Sequence, residues 1–168
     1  CLNVGNNNCA IRLSIGPPPN NAPSLPNNYS FKEGIGSTIT SGKDCILFTY
    51  GQTMINEAYK SYKYLKKNNI GLKVVNVPCI NHFDKKWVRK VLENFKYIFF
   101  LEDHNINGGL SDLMTSYLAN NNFTKNRFFY KFGVKNFPAC GTPEEVLKHH
   151  NLDYLSISSK IKRLINNA

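Results

Sequence analysis

The chain has 168 residues, long enough for one domain with a real core and too short for two of full size. Hydrophobic residues make up 42% and aromatics 12%, which excludes a disordered chain, and no apolar run approaches the roughly 20 residues of a membrane-spanning helix. The formal charge of +10 admits anionic partners, yet the lysines are scattered with no stripe of basic residues interleaved with aromatics, so a solvated basic face is expected in place of a nucleic-acid site.

Cys1-Leu2-Asn3-Val4 does not resemble a natural start and reads as the interior of a longer chain. Without a basic-then-apolar leader, the protein is expected to be soluble and cytoplasmic. A strand-like segment, Cys9 to Ser14, has no helix after it. Gly16-Pro17-Pro18-Pro19, Pro23 and Pro26 follow, a composition that favours stiff extended backbone. The organisation expected is therefore a tail over residues 1–14, a Pro-rich linker over 15–33 and a domain over 34–168.

From Gly34 the pattern is regular. Ile35 to Ile39 and Cys45 to Tyr50 read as short strands joined by Ser41-Gly42-Lys43-Asp44, a turn short enough for an antiparallel pair. Gly51 ends the second strand, and Thr53 is expected to cap a helix striped with Met54, Ile55, Ala58, Tyr62 and Leu65. Leu72 to Val77 is the next strand, stopped by Pro78, and Asp84 can cap a helix whose apolar positions are Trp87, Val88, Val91, Leu92 and Phe95. Tyr97 to Leu101 is a buried strand that runs into an acid-acid-histidine turn, Glu102-Asp103-His104. Gly108-Gly109 then opens a helix with Leu110, Leu113, Met114, Tyr117 and Leu118 on its stripe. Arg127 to Phe132 is the last strand. Thr142-Pro143-Glu144-Glu145 combines a capping threonine, proline at the first position and glutamate at the third, and a final helix uses Ile157, Ile161, Leu164 and Ile165.

Alternating strands and helices with right-handed crossovers build a three-layer α/β/α sandwich, its sheet mostly parallel, about five-stranded, with one antiparallel edge strand. Ligands of such sheets lie beyond the carboxyl ends of the strands, here Gly51 to Thr53, Cys79 to Asp84 and Glu102 to Gly109. Glu102, Asp103 and His104 could orient substrate or carry a proton. The reading preferred is that they bond to neighbouring backbone and anchor a domain interface. Gly108-Gly109 before a helix could present N–H groups to an anion, although a two-glycine turn is the commoner meaning. Five cysteines show no CxxC pair or zinc-like spacing, and His149-His150 have no third ligand in reach, so free thiols and no metal site are expected.

Several segments together resemble the C-terminal domain of transketolases. They are Asp44 to Tyr50 with Gly51 and Asn56-Glu57-Ala58, Gly71 to Val77 with Asp84, Glu102-Asp103-His104 with Gly108-Gly109, and Gly141 to Leu147 with Leu152-Asp153, in that order. The same domain occurs in deoxyxylulose-phosphate synthases and in the β-chains of 2-oxoacid dehydrogenases. The acid-acid-histidine segment and the Gly-Thr-Pro-Glu-Glu helix start favour the sugar-transferring members. Ala10 to Ser14 is similar to the last strand of the preceding pyrimidine-binding domain. In the family that strand closes with Arg-x-Ser-Arg, whose second arginine helps hold sugar phosphate; Arg12 matches the first, and Ile15 stands in place of the second. A branched apolar side chain gives no bidentate bond to a phosphate, which argues against ordinary sugar-phosphate recognition there.

The resemblance implies two-carbon ketol transfer between sugars by a homodimeric parent using thiamine diphosphate and Mg2+. Both would be bound mainly by other domains, with no cofactor, metal or catalytic residue expected in this portion. The candidate substrate contacts are Arg12 and Arg89, to which the resemblance points, with His82 beside Arg89 about the loop after the third strand, and Glu102, Asp103 and His104 at the strand end. The partners implied are the other domains or subunit of the same enzyme, with no nucleic acid or membrane. The competing reading is a stand-alone module that binds an anion at the strand ends.

Overall fold

The computed structural model describes Pro23 and residues 29–167. The expected strand Cys9 to Ser14, with Arg12 and Ile15, and most of the Pro-rich linker lie outside the described residues. Ten elements follow in order: β1 (Ser37–Thr38), β2 (Cys45–Thr49), α1 (Gln52–Lys67), β3 (Leu72–Asn76), α2 (Lys85–Leu92), β4 (Tyr97–Asn105), α3 (Leu110–Asn120), β5 (Phe128–Val134), α4 (Pro143–His149) and α5 (Tyr154–Asn166). They form one five-stranded sheet in the order β1-β3-β2-β4-β5, with only the β1–β3 pair antiparallel. The α/β/α sandwich is the architecture expected.

Alternation along each strand divides the core between two faces. Ile46, Phe48, Ile98 and Phe100 pack against Val88, Val91 and Leu92 of α2 and Leu110, Met114 and Leu118 of α3. Leu47, Val74, Phe99 and Leu101 pack against Met54, Ala58 and Leu65 of α1 and Ile157 and Ile161 of α5. Phe48 stacks on Phe100 with ring centroids 6.0 Å apart, and deleting such a ring costs about 3–5 kcal/mol.

Four expectations change. The first strand does not form a hairpin with β2, because both edges of β2 are taken by parallel neighbours; it pairs Ser37 with Asn76 and Thr38 with Val75 of β3. Thr40 clips this edge, its hydroxyl donating to the Leu72 carbonyl at 3.0 Å and accepting from the Val74 amide at 2.9 Å. Helix α1 starts from Gly51, whose φ of 76° turns the chain sharply out of β2, so Thr53 lies inside the first turn and caps nothing. Strand β4 runs on to Asn105, so Glu102-Asp103-His104 is strand, not turn. Leu113 is 42% exposed and stands outside the α3 stripe.

Local start signals hold where they are complete. Asp84 accepts from the Trp87 amide at 2.7 Å, and Thr142 and Glu145 form the reciprocal box that opens α4. Asn151, at φ 58°, then breaks the chain before Asp153 caps α5. One basic and aromatic stripe is present after all on α1, where Lys63 lies 4.4 Å from the Tyr59 ring centroid and Lys66 5.9 Å from that of Tyr62. Both pairs are four residues apart on one helix, with the ammonium groups in solvent.

Candidate functional site

The connection leaving β2 runs through α1 on one face of the sheet, and that leaving β4 runs through α3 on the other. Adjacent strands whose connections depart in opposite directions leave a crevice beyond their carboxyl ends, the usual ligand position in such sheets. Thr49 is in register with Leu101, and its hydroxyl donates to the Leu101 carbonyl at 2.8 Å. The crevice is therefore walled by Tyr50 and Gly51 on one side and Glu102, Asp103 and His104 on the other.

Glu102 shares the sheet face of Ile98 and Phe100, which is the face covered by α3. It is 1% exposed, yet its carboxylate is fully engaged. Oε2 accepts from the Leu110 amide at 2.6 Å and Oε1 from the Ser111 amide at 2.9 Å. Gly109, the N-cap of α3, has no capping side chain, so a strand residue supplies the anion that the helix start demands. The third partner is His104, two residues on and on the same face, with Nε2 3.0 Å from Glu102 Oε2. Gly109 is required for this fit, since a Cβ there would collide with both Glu102 Oε2 and His104 Nε2.

His104 has 39% of its side chain in solvent, and Asp103 is exposed. The phenol of Tyr50, absent from the residues singled out by sequence, is pushed up to about 12 by burial and by the negative charge of Glu102 and Asp103. Below the mouth, Asp112 accepts from the Gly108 amide at 2.6 Å and pairs with Lys131 of β5. Those two contacts hold the Asp112 carboxyl below the usual carboxylate range, the Lys131 hydrogen bond contributing most. Such a site can fix an imidazole at a crevice mouth and offer it as donor or proton carrier.

His82 lies on the exposed loop after β3, where its ring leaves no room for a Cβ at Gly34. Arg89 sits on the outer face of α2 with its guanidinium 5.8 Å from the Phe123 ring, beyond the carboxyl end of α3. Eleven residues of α3 separate that ring from the Glu102 contacts, a length of about 16 Å. Glu102, Asp103 and His104 are thus brought together with Tyr50, and Arg89 is not. Arg12 lies outside the described residues.

A diphosphate fits the crevice poorly. The α3 amides that would receive it are already bonded to Glu102, and Asp103 adds negative charge at the mouth. Among the described residues no three of His, Cys, Asp and Glu are grouped to hold a metal ion, and no helix is long and apolar enough to cross a membrane.

The chain is similar to a putative transketolase C-terminal section of Methanocaldococcus jannaschii, 28% identical over 133 residues, which is 79% of this chain and 40% of the relative. It is 29% identical to the transketolase of Rattus norvegicus over 160 residues, 94% of this chain and 25% of the relative. It therefore spans well under half the length of these curated relatives. A solved structure described as a split-gene transketolase, inactive β4 tetramer, superposes with a TM-score of 0.70 over 84% of this chain and 45% of that one; at 18% identity the likeness is one of fold. The family model described as transketolase, C-terminal domain, matches residues 34–157, and the chain belongs to that family.

Proposed function

We propose that this chain works as the C-terminal domain of a transketolase-like, thiamine-diphosphate-dependent enzyme that transfers two-carbon ketol units between sugars. Residues 1–14 would end a pyrimidine-binding domain, residues 15–33 would be the linker, and residues 34–168 the domain itself. The coenzyme and Mg2+ belong to the other domains, in a homodimeric cytoplasmic parent. Here the role is structural: to pack against those domains and to form the rim of a substrate channel with Glu102, Asp103 and His104.

The observation that carries this reading is the commitment of Glu102 to the start of α3. A module built to bind an anion at its strand ends would leave those amides open; this one closes them with its own carboxylate. Phe137, 92% exposed beside Pro138 in the segment before α4, supports contact with a neighbouring domain or subunit. Relatives named 1-deoxy-D-xylulose-5-phosphate synthase also match, at 22–27% identity over 67–84% of the chain, and those named transketolase, at 28–29% over 94–95%, support the sugar-transferring branch. Arg89 and His82 are secondary candidates for substrate contact, from other parts of the surface.

The test is reconstitution. The purified chain, supplied with thiamine diphosphate, Mg2+, a ketose donor and an aldose acceptor, is expected to give no ketol transfer. Adding a protein that carries the diphosphate-binding and pyrimidine-binding domains, sought upstream in the reading frame or in adjacent genes, is expected to restore it. Turnover by the chain alone would overturn the proposal.

A further inference from the structure

The sheet ends on β5, which is paired to β4 along one edge only. Beside it, between β5, the turn after α4 and the body of α5, lies a cleft of about 540 Å³. That is the size of a small-molecule site. Its cations come from positions far apart in the sequence. Lys135 directly follows β5, and Lys160 and Arg163 stand on one face of α5 at a spacing of three residues, while the His150 ring enters from the turn as a hydrogen-bonding group. No aspartate or glutamate lines the cleft.

Part of this charge is held in place. Lys131 also lines the cleft, but its ammonium is on the other sheet face, paired with Asp112 of α3, and adds no free charge here; the Lys160 ammonium rests 4.8 Å from the centroid of the Tyr130 ring. Lys135 and Arg163 make no ion pair among the described residues. The His150 ring accepts from the Ala139 amide at 3.2 Å through Nε2, which leaves its other nitrogen to donate. Tyr130, Phe132 and Leu152 supply an apolar wall between the cationic groups. Converging cations repel one another, so packing gives no reason for the arrangement; a bound polyanion offsets the repulsion.

We infer that this cleft binds a small phosphorylated organic anion. Lys135, Lys160 and Arg163 grip the phosphate, the guanidinium in the bidentate manner that suits phosphate oxygens, and the outer backbone edge of β5 adds N–H donors. The carbon part of the ligand lies on Tyr130. Apart from Lys131, whose ammonium is turned to Asp112, the site shares no residue with the crevice between β2 and β4.

The probe is AMP, with inorganic phosphate as its comparison, titrated into the full chain at low salt and followed by amide chemical shifts. Shifts are expected within Tyr130 to Lys135 and Ser156 to Arg163, with AMP binding more tightly than phosphate. The pair Lys160→Gln and Arg163→Gln removes two charge-assisted contacts and is expected to weaken AMP about tenfold or more. Lys135→Gln, beyond the strand end, is expected to weaken it about threefold, as one solvent-screened charge does. Lys85→Gln with Lys86→Gln, on the opposite face of the sheet, removes the same charge and is expected to leave binding within about twofold. Equal losses in the two double variants would reduce the site to diffuse attraction and overturn it. Shifts confined to the strand ends would overturn it too, as would tighter binding of single-stranded RNA spread over the tyrosines and lysines of α1. No sugar or coenzyme enters the test, so its failure leaves the ketol-transfer reading intact.

Discussion

Replacing Glu102 with alanine removes the acceptor of two buried backbone amides, Leu110 and Ser111, and the partner of His104. Each orphaned amide costs about 1–3 kcal/mol, and losing the anion at the positive end of the α3 dipole adds roughly 0.5 kcal/mol. Relief of a buried carboxylate's desolvation offsets part of this, so a net loss of about 3 kcal/mol is expected. For a domain of this size that lowers the melting temperature by roughly 6–12 °C. Glu102→Gln keeps one acceptor but turns an NH2 group toward the second amide, and it is expected to lose about half as much. The assay is urea unfolding of the three chains, with hydrogen exchange at Leu110 and Ser111 as the local readout. In Glu102→Ala both amides should exchange far faster than the core of β4. A loss below about 0.5 kcal/mol, the size of an ordinary surface change, with both amides still protected, would mean that Glu102 does not hold the start of α3.

Gly109→Ala should destabilise comparably, because its methyl group displaces Glu102 and His104; a chain that melts with the wild type would mean the contact is loose. Asp112, held below its normal value by Lys131 and the Gly108 amide, contributes stability that is present above the unfolded carboxyl value and lost as pH falls through the depressed folded value. The gap in melting temperature between wild type and Asp112→Asn should therefore be open at neutral pH and close well below about pH 4; a gap independent of pH would remove the ion pair from the account. Tyr50, raised to about 12, stabilises the fold at all pH values below the ordinary phenol range and loses that contribution as pH rises through the folded value. In ultraviolet titration of the folded chain one phenol missing from the Tyr50→Phe variant should ionise last, and ionisation of Tyr50 with the exposed tyrosines would contradict the crevice geometry.

Much of this fold is written locally. Asp84 and the Thr142 and Glu145 pair act three residues away, within the reach of a helix turn, and both caps form as their spacing implies. The continuous apolar run Cys45 to Phe48 marks a strand covered on both faces, and all four residues are fully buried. What the sequence left open depends on distant partners. The hairpin expected of Ser37 and Thr38 gives way to β3, which is near 40 residues further along in number but adjacent once β2 is enclosed by parallel neighbours. Tyr50 meets Glu102 only through the register of β2 on β4, and Glu102 reaches α3 only because β4 continues past Leu101. The cationic cleft joins the end of β5 to α5 in the same way. Charge scattered in sequence is gathered by topology.

On the proposed function, this domain fills its own strand-end crevice and leaves the coenzyme to its neighbours. Isothermal titration of the full chain with thiamine diphosphate and Mg2+ tests it directly, with the Glu102→Gln chain alongside. No binding heat is expected from either beyond that of a general polyanion such as pyrophosphate. Saturable binding specific to thiamine diphosphate, abolished by changes at Tyr50 or His104, would mean that the crevice itself holds the coenzyme.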